Sequence, residues 1–240
     1  MTLEELKEAL LAADPAALLV SPHLLARVIR EVHHLPPQAI GVPHRKSCIL
    51  DRGTLFRHVE LDDLDLGPDR MLPPTVILLA RPSSERRNAL ERDATLRTYW
   101  RRLFHANVHL TLQRRIAEGE LGLEDLAARI AEIGTNEFEE IRSVLRQEQF
   151  LFPDADDLAV YVEFAAVYLD LRCFLPDLPP VYFPAIRDFE RIDRILARDV
   201  DAARLFQRTR LAGAADPAPR PDADADEPSD TCVKLIRDAR

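Results

Sequence analysis

The chain has 240 residues, 47% of them hydrophobic and 30% charged, which supplies apolar material for a sizeable core and excludes wholesale disorder. Its 7 glycines argue against a glycine-rich phosphate cradle, and the proline-free stretch from Ser83 to Phe152 leaves room for long helices. The formal charge of −9 is unevenly spread: residues 1–118 carry 17 Lys+Arg and 15 Asp+Glu, residues 119–240 carry 15 and 26, so the two halves are expected to attract each other.

Cys48, Cys173 and Cys232 are far apart, odd in number and in no metal-ligand spacing. A disulfide framework or cysteine zinc site is therefore not expected, and a reducing compartment is. The opening residues MTLEELKEALLAADPAALLV carry acids where a signal peptide needs a basic start, and the run Val76 to Ala80 is too short to span a bilayer. These features predict a cytoplasmic protein with no membrane partner.

In chain order, Thr2 and Glu5 form a capping-box pattern that starts a helix ending at Asp14-Pro15. Ser21, with Pro22 in the first helical position, starts a second, whose apolar face is Leu24, Leu25, Val28, Ile29 and Val32. Residues 36–82 are punctuated by Pro37, Gly41, Pro43, Gly53, Gly67, Pro73 and Pro74, so only short elements are expected there. Asp51 suits the cap of a short helix holding Leu55, Phe56 and Val59, and residues 75–80 fit either a buried strand or a short helix.

Beyond Pro82, Ser83 or Ser84 caps a long helix reaching about Glu118, and its middle, Leu103 to Leu112, contains no Lys, Arg, Asp or Glu. That segment is expected to be the buried central helix of a bundle. Residues 123–133 and the segment from Asn136 to about Gln149 read as a helical hairpin around Gly134. Asp154 or Asp156 caps the next helix, 157–174, which is apolar nearly all round, and a last helix carries Ile186, Phe189, Ile192, Leu196, Val200 and Ala203. Residues 213–230, GAADPAPRPDADADEPSD, lack large apolar side chains and are expected to be a disordered linker. The short apolar segment in 231–240 is then either a docking peptide or the start of a further domain.

The expected fold class is all-α: an irregular bundle of about seven or eight helices around one buried central helix. It spans 1–212 as a single domain, with an irregular, partly β insertion at 36–82.

The leading chemical feature is His105-Ala106-Asn107-Val108-His109, in which two imidazoles four residues apart share one helix face and can ligate one metal ion. The spacing is that of HExxH, but Ala106 stands where the metallopeptidase pattern has its water-activating glutamate. Asp156, Glu163 and Asp170 lie seven residues apart along an otherwise apolar helix, and antiparallel packing would bring Glu163 to the histidine pair. The competing reading of all these groups is structural: histidines and Asn107 satisfied by hydrogen bonds in a core, and the acids on a solvated face.

Nine arginines against three acids within residues 81–115 form the one nucleic-acid-like feature, with Arg97, Arg101 and Arg102 as the candidate contacts. Their spread over several helix faces favours pairing with the acidic second half instead. Ser47-Cys48 and Ser83-Ser84 lack the companions that would make a nucleophile.

Taken together, the sequence predicts a non-catalytic helical interaction or regulatory module, partnered by another protein or by a further domain of the same polypeptide. No cofactor and no nucleic acid are expected. The alternatives are a metal-binding protein or metal-dependent enzyme using His105, His109 and Glu163 with a divalent metal, and nucleic-acid binding through the arginine-rich helix 84–118.

Overall fold

The computed structural model describes residues 1–35, 46–66, 70–82 and 92–217. Helices form where local signals call for them. Thr2 and Glu5 make a reciprocal capping box at the start of α1 (Leu3–Ala13). The Ser21 hydroxyl accepts from the Leu24 amide at 3.1 Å to begin α2 (Pro22–Val32), and Asp51 caps α3 (Arg52–His58).

The fold is mostly helical, but it is not all-α. β1 (Ala17–Val20), β2 (Ser47–Asp51) and β3 (Thr75–Ala80) form a sheet in the order β1-β3-β2, with β1 parallel and β2 antiparallel to the central β3. The registers pair Ala17 with Ile77 and Cys48 with Leu78. Residues 75–80 are thus a strand, and residues 17–20 are a strand that local signals did not mark.

Both strands run continuously apolar because the sheet is buried on both faces, so the alternation that identifies a half-exposed strand is missing. Leu18, Val20, Val76 and Leu78 face a small core with Leu25, Val28 and Ile29 of α2 and Leu55 of α3. Ala17, Leu19, Ile77 and Leu79 face the larger helical core. The sheet is the partition between the two.

The larger core is built on α4 (Arg92–Ala117), α5 (Leu123–Ile133), α6 (Thr135–Gln147), α7 (Asp157–Phe174), the short α8 (Pro179–Tyr182), α9 (Phe189–Leu196) and α10 (Ala202–Arg208). Ten α-helices are present among the described residues, more than expected. The expected final helix is two, because the chain turns between them to bury Asp199, and Asp201 then caps α10 by accepting from the Arg204 amide at 3.0 Å.

Burial also corrects the expected centre. α4 is buried over Leu103 to Val108 except at His105, whereas every residue of α7 from Val160 to Leu171 is buried. The two helices share the centre as an antiparallel pair, joined at one end by edge-on contacts of Phe174 with Trp100 and Phe104. Ala214 is still buried, so packing continues just past residue 212. Most of the expected linker and the whole 231–240 segment lie outside the described residues, as do residues 36–45 and 83–91 of the insertion and the long helix. Among the described residues, no helix is long and apolar enough to cross a membrane.

Candidate metal centre

Within the buried run Val160 to Leu171 the only charged residues are Glu163 and Asp170. Seven residues is close to two helical turns, so both lie on one face of α7. Opposite them, Arg101, His105 and His109 recur at four-residue intervals on one face of α4. The antiparallel crossing matches the two series: Arg101 meets Asp170, and the histidine pair meets Glu163.

His109 Nε2 lies 3.2 Å from Glu163 Oε2, and His105 Nε2 lies 3.7 Å from Oε1. The two Nε2 atoms are themselves 3.2 Å apart. All three residues can offer ligand atoms within 4.8 Å of one another. Among the acids of the expected line, Glu163 is brought to the histidines, Asp170 is held one stage further along by Arg101, and Asp156 is spent as the cap of α7, accepting from the Ala159 amide at 2.8 Å.

A neutral imidazole offers one lone pair, and an ionised carboxylate only lone pairs. Three such atoms turned towards one point are mutually repulsive unless a proton or a metal ion sits among them. With bonds of about 2.1 Å, ligand atoms 3.2 Å apart subtend roughly 100° at a metal, between octahedral and tetrahedral values. Two nitrogens and one oxygen, with no thiolate, suit zinc, iron(II), manganese, cobalt or nickel rather than calcium or copper(I). Burial is graded: the Glu163 side chain is 3% exposed and the imidazoles are 15% and 14%, so exchange with solvent is easiest from the histidine side.

Ala106 is buried. Asn107 is the hydrogen-bonded core amide that the sequence predicted. It donates to Asp14 and to the Leu103 carbonyl, both at 3.0 Å, and accepts from Arg208 at 2.7 Å, which ties α1, α4 and α10 together.

Two of the three candidate arginines of this helix, Arg101 and Arg102, are engaged within the chain. Arg101 chelates Asp170, with Nε 2.8 Å from both carboxylate oxygens. Arg102 donates to the Ala80 carbonyl at 3.2 Å and lies over the Tyr99 ring, and Arg97 is half-buried. Burial pushes the Asp170 carboxyl above its ordinary range, with Arg101 opposing the shift. The thiols of Cys48 and Cys173 are pushed up to about 12 by burial, which leaves neither a nucleophile at neutral pH.

A second buried polar cluster had no sequence signal. Arg129 grips both oxygens of Asp199 at 3.0 and 3.1 Å, and the Tyr161 hydroxyl donates to Asp199 at 2.6 Å. Its members come from separate elements, Arg129 and Tyr161 lying 70 and 38 residues from Asp199 in the chain, and no local pattern links them.

Comparisons with protein-family models, with curated proteins and with solved structures find no match to this chain.

Proposed function

We propose that this chain is a metal-binding helical protein, with His105, His109 and Glu163 as the protein ligands of one divalent transition-metal ion. The observation that carries the reading is the convergence of two imidazole nitrogens and a buried carboxylate from two packed helices. Three protein ligands leave at least one coordination position for water or another small ligand. Ala106, in place of the water-activating glutamate, directs the reading to metal binding rather than peptide hydrolysis. A metal centre of this kind is compatible with a helical interaction or regulatory module, since it would cross-link α4 to α7.

Metal analysis of protein purified without an affinity tag, followed by titration with Zn²⁺ and Co²⁺, tests the reading. One equivalent per chain is expected. His105→Ala and His109→Ala should each abolish stoichiometric binding, and Glu163→Gln should weaken it, because metal affinity depends on a complete deprotonated ligand set. Failure of the native chain to take up either ion, or equal uptake by the histidine variants, overturns it.

A further inference from the structure

We infer that Arg101 and Asp170 are positioning residues for the metal centre, a clamp that sets the axial register of α4 against α7 and so decides whether Glu163 meets the two imidazoles. This inference rests on the metal-binding reading of His105, His109 and Glu163. Its starting point is an ion pair whose carboxylate alone is withdrawn from water: Asp170 is only 6% exposed against 37% for the Arg101 side chain, and the cost of burying that charge offsets part of the attraction. Directional buried pairs are best attested where they select one register among several similar packings.

Such a choice exists here. Sliding one helix by one residue displaces it about 1.5 Å along its axis, whereas metal–ligand distances tolerate only about 0.2 Å. The aromatic contacts of Trp100 and Phe104 with Phe174 hold the same two helices together, but apolar packing is not directional at that precision. The guanidinium fork is: Nε lies 2.8 Å from both Asp170 oxygens, and Nη2 2.8 Å from Oδ2. Arg101 stands one turn before His105, and Asp170 two turns after Glu163. The clamp and the ligands therefore occupy successive levels of one seam, so a shift at one level is transmitted along rigid helices to the next.

The test compares Co²⁺ affinity and the visible Co²⁺ absorption spectrum in the full chain and in Arg101→Gln, Arg101→Lys and the double variant Arg101→Gln/Asp170→Asn. Arg129→Lys, which disturbs the more deeply buried Arg129–Asp199 pair, serves as the control for general loss of stability. Expected are a loss of Co²⁺ affinity of at least tenfold and an altered spectrum in Arg101→Gln, with partial recovery in Arg101→Lys, whose single ammonium restores the charge without the fork. The double variant, which removes the unpaired buried charge and so keeps the protein folded, should show the same spectral change. Arg129→Lys should leave both readouts as in the native chain. Native affinity and spectrum in the folded double variant would overturn the clamp while leaving the metal reading intact. Absence of Co²⁺ binding by the native chain would overturn both.

Discussion

Glu163 and Asp199 are withdrawn from solvent to the same degree, each 3% exposed, yet the chain surrounds them in opposite ways. Asp199 has permanent donors: both prongs of Arg129, whose charge cannot be titrated away, and the Tyr161 hydroxyl. Glu163 faces two imidazoles, whose charge is optional and whose Nε2 atoms also face each other. The first is a closed network that fixes α5 against the α9–α10 junction. The second, on the proposed metal-binding reading, would be closed by a cation that can be exchanged, and burial alone does not distinguish them.

The sharpest way to break this comparison is to open the closed network. Arg129→Ala leaves the Asp199 carboxyl buried and without its main counter-charge, and should cost about 3–5 kcal/mol of stability in chemical denaturation. Metal affinity should change less than about twofold, since Arg129 belongs neither to the ligand set nor to the Arg101–Asp170 clamp. A variant as stable as the native protein would mean that Asp199 is not the anchor described here.

Metal removal probes the other side. At a free Zn²⁺ or Co²⁺ concentration 100 times the dissociation constant, the native chain should gain about 2.7 kcal/mol, read as a rise in melting temperature. His109→Ala should lose that gain entirely. An equal gain in this variant would move the metal elsewhere in the molecule.

The two regions should also fail at opposite ends of the pH scale. Imidazoles must be deprotonated to ligate, so stabilisation by metal is lost on acidification. Burial, followed by hydrogen bonding to Asp199, raises the Tyr161 hydroxyl far above its ordinary range. The folded state then retains a proton that the unfolded chain releases above about pH 10. More protons are bound folded than unfolded, so stability falls with rising pH, by up to about 1.4 kcal/mol per unit for this group. Tyr161→Phe should make that alkaline limb shallower, Tyr168 being raised in the same way by burial and by Asp193, and leave the acid loss of metal unchanged. An unaltered alkaline limb would exclude Tyr161 as its source.

The smallest effect is expected for nucleic acid. Arg102→Gln removes a side chain already committed to the Ala80 carbonyl and the Tyr99 ring, and duplex DNA binding at physiological salt should be weak before and after. Tight, salt-sensitive binding lost in this variant would favour the nucleic-acid reading over the metal-binding one.

Much of the candidate site was legible because its parts are local. The four-residue spacing of His105 and His109 places them on one face of any helix, and the seven-residue spacing of Glu163 and Asp170 does the same on α7. The capping patterns at Thr2, Ser21, Asp51 and Asp156 were also readable, since each cap is a hydrogen bond within a few residues of chain. By contrast, a four-residue apolar run such as Ala17 to Val20 becomes a strand only through a partner about 60 residues away, and burial on both faces removes the alternation that would announce it.

By itself, then, the amino-acid sequence determined the helical segments, their apolar faces and which polar residues share a face, because those depend on spacing and on hydrogen bonds that close over one turn. Only the tertiary structure decided which faces meet: the antiparallel crossing that pairs Arg101 with Asp170 and the histidines with Glu163, the sheet that divides two cores, and the turn that carries Asp199 inward to Arg129. These are contacts between segments distant in the chain, and their geometry follows from how whole elements pack rather than from any local pattern of residues.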